Sequence, residues 1–325
     1  MAITSLDETR IYYGSDRLKE VFGSMIKSNA QEAVKALNSK YLRFPTLFIL
    51  QQDINTLDIA SQLNTRNKYA LDLVKDLLSE EDINSDRILA EYTPDNHSSI
   101  RWILETGYSE DGLSDEYDQV LDAAAIILSK VYNDRTCLKI IEELIFSRHR
   151  KGSYMYDLTW TFFEALNPRD IAVLVKRLDS SEPRDVELAR KFLNFIPVQN
   201  DKRDNEEQNQ YQSALKWIKQ NQSFLYYTGA TNQQTINPQR YAVSLEAKYL
   251  QKPANEVSDG QSRSLKREEQ SCLDCFNQLD TETKLLLSEY SNRLFRSNRS
   301  RWSKWIQSPI ERQIDIARGV MEGLQ

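Results

Sequence analysis

Apolar residues recur at intervals of three and four positions along most of the chain. Segments 71–78 and 120–131 show this repeat clearly, and it is the spacing at which one face of an α-helix meets a core. Segments 223–227 and 240–250 have the composition of strands and are separated by a turn-rich stretch, although the second also fits a helix. The pattern therefore predicts a mostly helical protein with a possible small β-hairpin between 223 and 250.

Three consecutive segments in the middle of the chain each predict a helix, a short polar turn and a second helix. They are 99–132, 137–166 and 170–196, and their first helices begin 38 and then 33 residues apart. A single helical hairpin cannot bury both of its apolar faces, whereas neighbouring hairpins bury them by stacking. We therefore expect this part of the chain to form stacked helical hairpins.

The third of these segments resembles a HEAT repeat. Residues 174–196 read LVKRLDSSEPRDVELARKFLNFI, with a first helix ending in leucine, Pro183 and Asp185 in the turn, and Ala189 in the second helix. The two upstream segments match more loosely, so the resemblance covers about residues 99–197. It implies an all-α protein whose helical hairpins stack into an α-solenoid. The apolar spacing after residue 280 separately predicts a helical cap toward the C-terminus.

Two uniformly polar stretches, 199–210 and 251–271, interrupt the apolar pattern. Segments of this composition favour linkers or long loops, because they carry too little apolar surface to join a core. We predict an α-helical repeat region at 1–198, a polar linker or loop at 199–210, and a C-terminal helical region with a possible β-hairpin at 211–325.

Signatures of enzyme activity are mostly missing from the sequence. The chain has nine glycines in 325 residues and two histidines, whereas nucleotide folds and phosphate-binding loops depend on glycine. The common nucleotide-binding, zinc-protease and serine-hydrolase motifs are not found. We therefore expect a non-enzymatic protein without catalytic, cofactor-binding or metal-binding residues, and keep an enzyme of unrecognised type as a further hypothesis.

Two short patterns allow a chemical interpretation and a structural one. Cys272 and Cys275 have a spacing used in zinc sites, but with Phe276 they also form an apolar stripe, and we expect them to pack in a core. Asp157 and Trp160 resemble the aromatic-plus-carboxylate pocket of the HEAT-like alkylpurine DNA glycosylases. The net charge of −6 opposes DNA binding, and we expect Trp160 to be buried.

The sequence also indicates where the protein functions. Its start lacks the pattern of a secretory signal, and its longest apolar run, 123–128, is too short for a membrane span. Three cysteines do not make a disulfide framework for a chain of this length. We expect a soluble cytoplasmic protein that does not associate with membranes; the sequence does not specify its oligomeric state.

Acidic residues are concentrated between 79 and 122, a segment that contains thirteen acidic and two basic residues. The run begins at 80–82 and is densest at 110–118. A solvated surface is the simplest interpretation, and a docking surface for a basic partner is the more specific one. The residues we predict to contact a partner are Glu110, Asp111, Asp115, Glu116 and Asp118. Because helical-repeat surfaces commonly bind macromolecules, we expect a scaffold or adaptor with a protein partner.

A first basic cluster lies in the turn of the second helical hairpin, at Arg148, Arg150 and Lys151. One interpretation is a surface for an acidic partner. The other is the C-terminus of a helix that ends before Gly152, where cations complement the helix dipole.

A second basic cluster begins at residue 293, and no acid interrupts the chain from 290 to 310. Asp280 is placed to cap a helix through 281–295, and Ser300 to cap a second, short helix. Trp302 and Trp305 fall on one stripe of this second helix, so we expect their rings in the core and the cations on the outer faces. The five cations are Arg293, Arg296, Arg299, Arg301 and Lys304. Nucleic-acid binding through this cluster together with the cluster at 148–151 is the alternative functional hypothesis.

Overall fold

The computed structural model describes residues 5–78, 94–197, 206–231, 234–258 and 265–322. Within these ranges the protein forms 17 α-helices and one two-stranded sheet, which confirms the prediction of a mostly helical protein. No helix in the described ranges is both long enough and apolar enough to cross a bilayer. The chain divides into two compact units, Met1–Ala165 and Leu166–Gln325.

The N-terminal unit contains eight helices within the described ranges. They are α1 (Leu6–Leu37), α2 (Phe44–Ile49), α3 (Gln51–Thr56), α4 (Thr65–Leu78), α5 (Pro94–Gly107), α6 (Asp115–Lys130), α7 (Leu138–Lys151) and α8 (Tyr156–Ala165). Ser5 and Glu8 form a capping box at the start of α1, and the Ser114 side chain caps α6. Gly152 ends α7 with a φ of 73°, as predicted, because glycine adopts this conformation without strain.

Helices α5 to α8 form the first two predicted helix–turn–helix segments. Helix α6 packs against both α5 and α8, and α7 packs against α8. The acids at 80–82, where the acidic run begins, lie outside the described residues.

Gly107, the last residue of α5, allows a close approach to α6 and α2. A Cβ atom at this position would lie 2.7 Å from the Tyr117 hydroxyl and 2.8 Å from a Leu121 methyl group. Tyr117 is fully buried, donates a hydrogen bond to the Gly107 carbonyl and stacks on Phe44. The aromatic core of this unit therefore depends on a position without a side chain.

The C-terminal unit contains nine helices and the hairpin within the described ranges. In chain order they are α9 (Ala172–Lys176), α10 (Pro183–Phe192), α11 (Glu206–Asn221), β1 (Leu225–Tyr227), β2 (Tyr241–Val243), α12 (Leu245–Leu250), α13 (Ala254–Ser258), α14 (Arg267–Asn277), α15 (Thr281–Ser297), α16 (Arg299–Ile306) and α17 (Ile310–Glu322). The third predicted hairpin, α9 with α10, thus belongs to this unit. The unit boundary at 165/166 differs from the predicted boundary at 198.

The hairpin is antiparallel, with Leu225 opposite Val243 and Tyr227 opposite Tyr241. The segment 240–250, which fits either a strand or a helix by sequence, contains both. Its strand ends at Val243, and the Ser244 side chain then caps α12 by accepting a hydrogen bond from the Ala247 amide.

Helices α12 and α14 to α17 enclose an aromatic core. Tyr249 stacks on Phe276 with 4.3 Å between the ring centres, and Trp305 packs edge-on against Tyr290 with 5.1 Å between the ring centres. Trp305 is 4% exposed, and Trp302 is half-buried against the same cluster. The predicted placement of both rings toward a core is confirmed.

Two local predictions in this unit are wrong. Cys275 is exposed, because the buried stripe of α14 runs through Leu273 and Phe276. Cys272 is half-buried and donates to the Ile306 carbonyl. The cap of α16 is Asn298, not Ser300, as its side chain accepts a hydrogen bond from the Arg301 amide at 2.9 Å.

Candidate functional site

The acidic edge, residues 110–118, consists of the turn after α5 and the start of α6. Asp115 and Glu116 are exposed in the first turn of α6. Hydrogen bonds from its own backbone amide and from Ser114 lower the pKa of Glu116, so this side chain is charged at neutral pH. Asp118 is half-buried and accepts a hydrogen bond from the Gly112 amide at 2.7 Å.

Arg148 lies beneath this edge and is only 2% exposed. Its Nε donates to Asp111 at 2.8 Å, and its Nη1 donates to Asp122 at 2.9 Å and to the Tyr154 carbonyl at 3.2 Å. The Asp111 side chain is 4% exposed. Arg148 and Asp111, two of the residues predicted to contact a partner, thus neutralise each other inside the unit and are not exposed.

Two further cations hold the acidic edge in place. Arg10 of α1 is buried and pairs with Glu110 at 3.2 Å. Lys151 donates to the Asp111 carbonyl at 2.6 Å. Glu110 and Lys151 thus serve first as structural partners, and the half-buried Arg150 is not without an interaction of its own.

More carboxylates than cations surround Arg148. The pKa of Asp122 is raised to about 6, mainly by burial and also by the charges of Asp111 and Asp118, while Arg148 acts in the opposite direction. Burial lowers the pKa of Arg148, but the hydrogen bonds that it donates to Asp122 and Asp111, together with their charges, outweigh burial and raise it. The guanidinium remains charged and the Asp122 carboxyl titrates near neutral pH.

A cleft of about 420 Å³ opens beside the exposed end of the acidic edge. Its apolar lining residues are Phe48, Ile49, Leu78 and Leu113, and its polar lining residues are Ser15, Lys19, Gln51, Gln52, Ser114 and Glu116. Lys19, Gln52, Leu113 and Glu116 are themselves exposed, so the cleft is accessible from solvent. Its lining combines apolar side chains with one acidic residue, Glu116, and one basic residue, Lys19.

Exposed apolar side chains directly precede the cleft along the chain. Ile11, Tyr12 and Tyr13 are 52%, 75% and 68% exposed, although they lie in a helix. Gly14 then leaves helical geometry with a φ of 83°, and Ser15 lines the cleft. Contiguous exposed apolar residues of this kind commonly mark interaction surfaces.

A separate basic surface lies on the C-terminal unit, and we define it as the exposed side chains of residues 293–304. All five predicted cations, Arg293, Arg296, Arg299, Arg301 and Lys304, belong to it. In the part of the chain that the structure describes, no ion pair involves any of them. The alternative hypothesis also required the cluster at 148–151, in which Arg148 is buried, Arg150 is half-buried and Lys151 is exposed.

One histidine and one cysteine, His97 and Cys137, both contact Asp134. His97 Nε2 lies 2.9 Å from Asp134, and Cys137 Sγ donates to the Asp134 carbonyl. Burial raises the pKa of Cys137 to about 12, so its thiol stays protonated and is a poor nucleophile. No group of three or more His, Cys, Asp or Glu side chains among the described residues is arranged to hold a metal ion.

Trp160 is 41% exposed, so the prediction that it is buried is wrong. The Lys130 Nζ lies 3.1 Å from the centre of its ring and also pairs with Glu164. Asp157 accepts a hydrogen bond from the Tyr154 hydroxyl. The resemblance to the glycosylase pocket therefore ends at residue type, because a lysine covers the ring.

No family model matches the chain, and no curated protein or solved structure matches it either.

Local sequence patterns contain no signal for most of the cleft. Three different helices contribute Lys19, Phe48 and Gln52 to its lining. The ion pair between Arg10 and Glu110 joins residues that are 100 positions apart in the sequence. The exposed Tyr12 and Tyr13 adjoin a glycine within a helical pattern, and an interrupted apolar stripe of this kind is the one available clue.

Proposed function

We propose that this protein is a non-enzymatic scaffold or adaptor whose N-terminal unit binds a basic, amphipathic segment of a partner protein. The segment lies in the cleft beside Glu116. The observation that carries this proposal is the cleft itself, which joins an apolar floor to an exposed acidic rim. Protein interfaces have this composition, with apolar anchors at the centre and charged groups around them.

In this proposal, the exposed acidic residues of the cleft favour a partner segment that is positively charged. Asp115 and Glu116 are exposed without a cation from the described residues beside them, whereas the acids closer to Arg148 are neutralised. Cations in the partner would meet these two acids while apolar side chains fill the floor at Phe48 and Leu113. A single acid in the partner would pair with Lys19, which also lines the cleft.

Hydrogen bonds hold the chain next to one wall of the cleft. Leu113 and Ser114 lie two and three residues after Asp111, which accepts hydrogen bonds from Arg148 and Lys151. A wall that is already in place spares a partner the entropy of ordering it. In our proposal the buried ion pairs therefore serve binding indirectly, by positioning the residues that touch the partner.

The arrangement of helices also supports a scaffold. In our proposal, α5 with α6 and α7 with α8 are HEAT-like pairs that stack as neighbouring repeats of a solenoid, and contacts from α6 to both α5 and α8 agree with that arrangement. Inferring partner binding from helical pairs alone is an analogy between folds. The observation specific to this protein is the cleft.

The test is site-specific photo-crosslinking from within the cleft. p-Benzoylphenylalanine replaces Gln52 in the full-length protein, which is irradiated in its native lysate after nuclease treatment. The control carries the same group at Ile236, which is 99% exposed on the C-terminal unit. We expect a discrete protein adduct from position 52 and not from position 236, with a crosslinked peptide that is basic and apolar.

The crosslink has a further control within the cleft. Leu113→Ser removes apolar surface from the wall without changing charge, and it should reduce the adduct at position 52 at least severalfold. Identical adducts from positions 52 and 236, or an adduct indifferent to Leu113→Ser, would refute binding at the cleft.

A further inference from the structure

The basic surface of the C-terminal unit has an unusual composition. Besides its five cations, every exposed residue between 293 and 304 is a serine or an asparagine. The apolar residues in this range, Leu294, Phe295 and Trp302, are all buried or half-buried. Arginine, lysine, serine and asparagine are the side chains that contact phosphate oxygens in complexes with nucleic acids.

We infer that this surface binds the phosphate backbone of double-stranded nucleic acid without reading its sequence. The inference goes beyond the proposed protein-binding function, because it concerns another surface and another class of partner. It rests on charge complementarity together with the composition of the exposed positions.

The cations are free to meet phosphates. None of the five forms an ion pair with another described residue, in contrast to the buried Arg148 with its two aspartates. A shallow depression of about 340 Å³ lies among Phe295, Arg296, Ser297 and Arg299 and contains no acid. The Arg299 guanidinium packs over the Phe295 ring at 4.9 Å, which limits the freedom it would lose on binding.

A protein partner fits this surface less well than a phosphate backbone does. The energy of a protein interface comes mostly from buried aromatic and aliphatic anchors, and this surface exposes none of its own. An anionic membrane is disfavoured for the same reason, since no apolar side chain here is free to insert into lipid.

A single strand also fits less well than a duplex. Single-stranded nucleic acids bind by stacking bases on exposed aromatic rings. Trp302 donates its Nε1 hydrogen to Ser291 and packs edge-on against Phe295, and Trp305 is 4% exposed. Because both rings are committed to the core, the surface offers phosphate contacts without base stacking.

The expected affinity is modest and strongly salt-dependent. Five cations set the upper limit for phosphate contacts, so log K should fall against log salt with a slope no steeper than about −4.5. The net charge of −6 further weakens association. Binding should be measurable at low salt and largely lost at a few hundred millimolar.

The test is fluorescence anisotropy with the full-length protein and a fluorescein-labelled, mixed-sequence 20-base-pair DNA duplex across a salt series. One variant combines Arg296→Gln, Arg299→Gln and Lys304→Gln. A matched control combines Lys27→Gln, Lys35→Gln and Lys139→Gln, three exposed cations of the other unit. Both variants lower the net charge by three, so they separate the basic surface from overall charge.

We expect the surface variant to bind the duplex about 10- to 100-fold more weakly, with a shallower salt slope, and the control to change severalfold at most. Equal losses in the two variants, or no binding by the wild-type protein at 50 mM salt, overturn the inference. Tighter binding of the single strand than of the duplex overturns it as well. So does equal or tighter binding of a labelled polyglutamate of matched charge, which would identify an acidic protein segment as the ligand.

Discussion

Arg148 is the residue on which the N-terminal unit depends most for its charge balance. Replacing it with methionine keeps much of the side-chain volume but leaves Asp111 and Asp122 buried without a guanidinium. We expect Arg148→Met to lower the free energy of unfolding by about 3–5 kcal/mol, the usual cost of leaving buried charges uncompensated. Urea denaturation followed by circular dichroism measures this loss.

The matched control for this substitution is Lys139→Met, which removes an exposed cation from the same helix. It should change stability by no more than about 0.5 kcal/mol, as surface substitutions usually do. Comparable losses in the two variants would show that the ion pairs around Arg148 contribute little.

Asp122 should make stability depend on pH in an unusual direction. Its pKa is about 6 in the folded chain, and about 4 is expected in the unfolded chain. A carboxyl with a raised pKa favours folding fully below about pH 4, and this contribution is lost as the pH rises through about 6. Between pH 4.5 and 7.5, the wild-type protein should therefore lose up to about 2 kcal/mol of stability relative to Asp122→Asn.

Urea titrations of both proteins at several pH values measure that difference, and titrations of groups common to both cancel. A difference that stays constant with pH, or that grows in favour of the wild type as the pH rises, would contradict a raised pKa at Asp122.

At the level of single residues, the sequence predicts local roles better than it predicts environments. The end of α7 at Gly152 depends on neighbouring residues and is predicted correctly. The burial of Arg148 depends on Asp111 and Asp122, which lie 37 and 26 positions away. A run of four basic residues has the same local pattern whether it is solvated or buried, so no local rule reveals the difference.

At the level of helices and strands, periodicity identifies elements well and their ends less well. Helix α15, with its cap at Asp280, follows directly from its apolar spacing, and so do the helical hairpins of the middle. The start of α16 is displaced, because both Asn298 and Ser300 are good capping residues and only the backbone conformation decides between them. Asn298 has the extended backbone that a cap requires, with a φ of −157° and a ψ of 91°.

The two candidate caps can be distinguished by substitution. Asn298→Ala removes the acceptor for the Arg301 amide and should cost about 1 kcal/mol, whereas Ser300→Ala should be nearly neutral. Thermal unfolding by calorimetry compares the two variants with the wild-type protein. The reverse order of the two effects would place the start of α16 at Ser300, as the sequence pattern alone suggests.

At the level of the whole molecule, charge is divided between the two units. Residues 1–165 contain 27 acids and 18 bases, a charge of −9, and residues 166–325 contain 21 acids and 24 bases, a charge of +3. The overall charge of −6 conceals this division, and the apolar pattern, which is helical on both sides of residue 165, does not place the boundary. An acidic unit with an apolar cleft and a basic unit with a polar surface suit two different partners.

The proposed surfaces should therefore act independently of each other. Leu113→Ser, which alters the cleft without changing charge, should leave duplex affinity and its salt slope unchanged. The triple neutralisation of Arg296, Arg299 and Lys304 should leave the protein adduct at position 52 unchanged, since each substitution lies on the other unit. Anisotropy and photo-crosslinking of both variants measure these outcomes. If Leu113→Ser weakens duplex binding as much as the triple neutralisation does, one surface serves both partners, and the division of charge has no functional meaning.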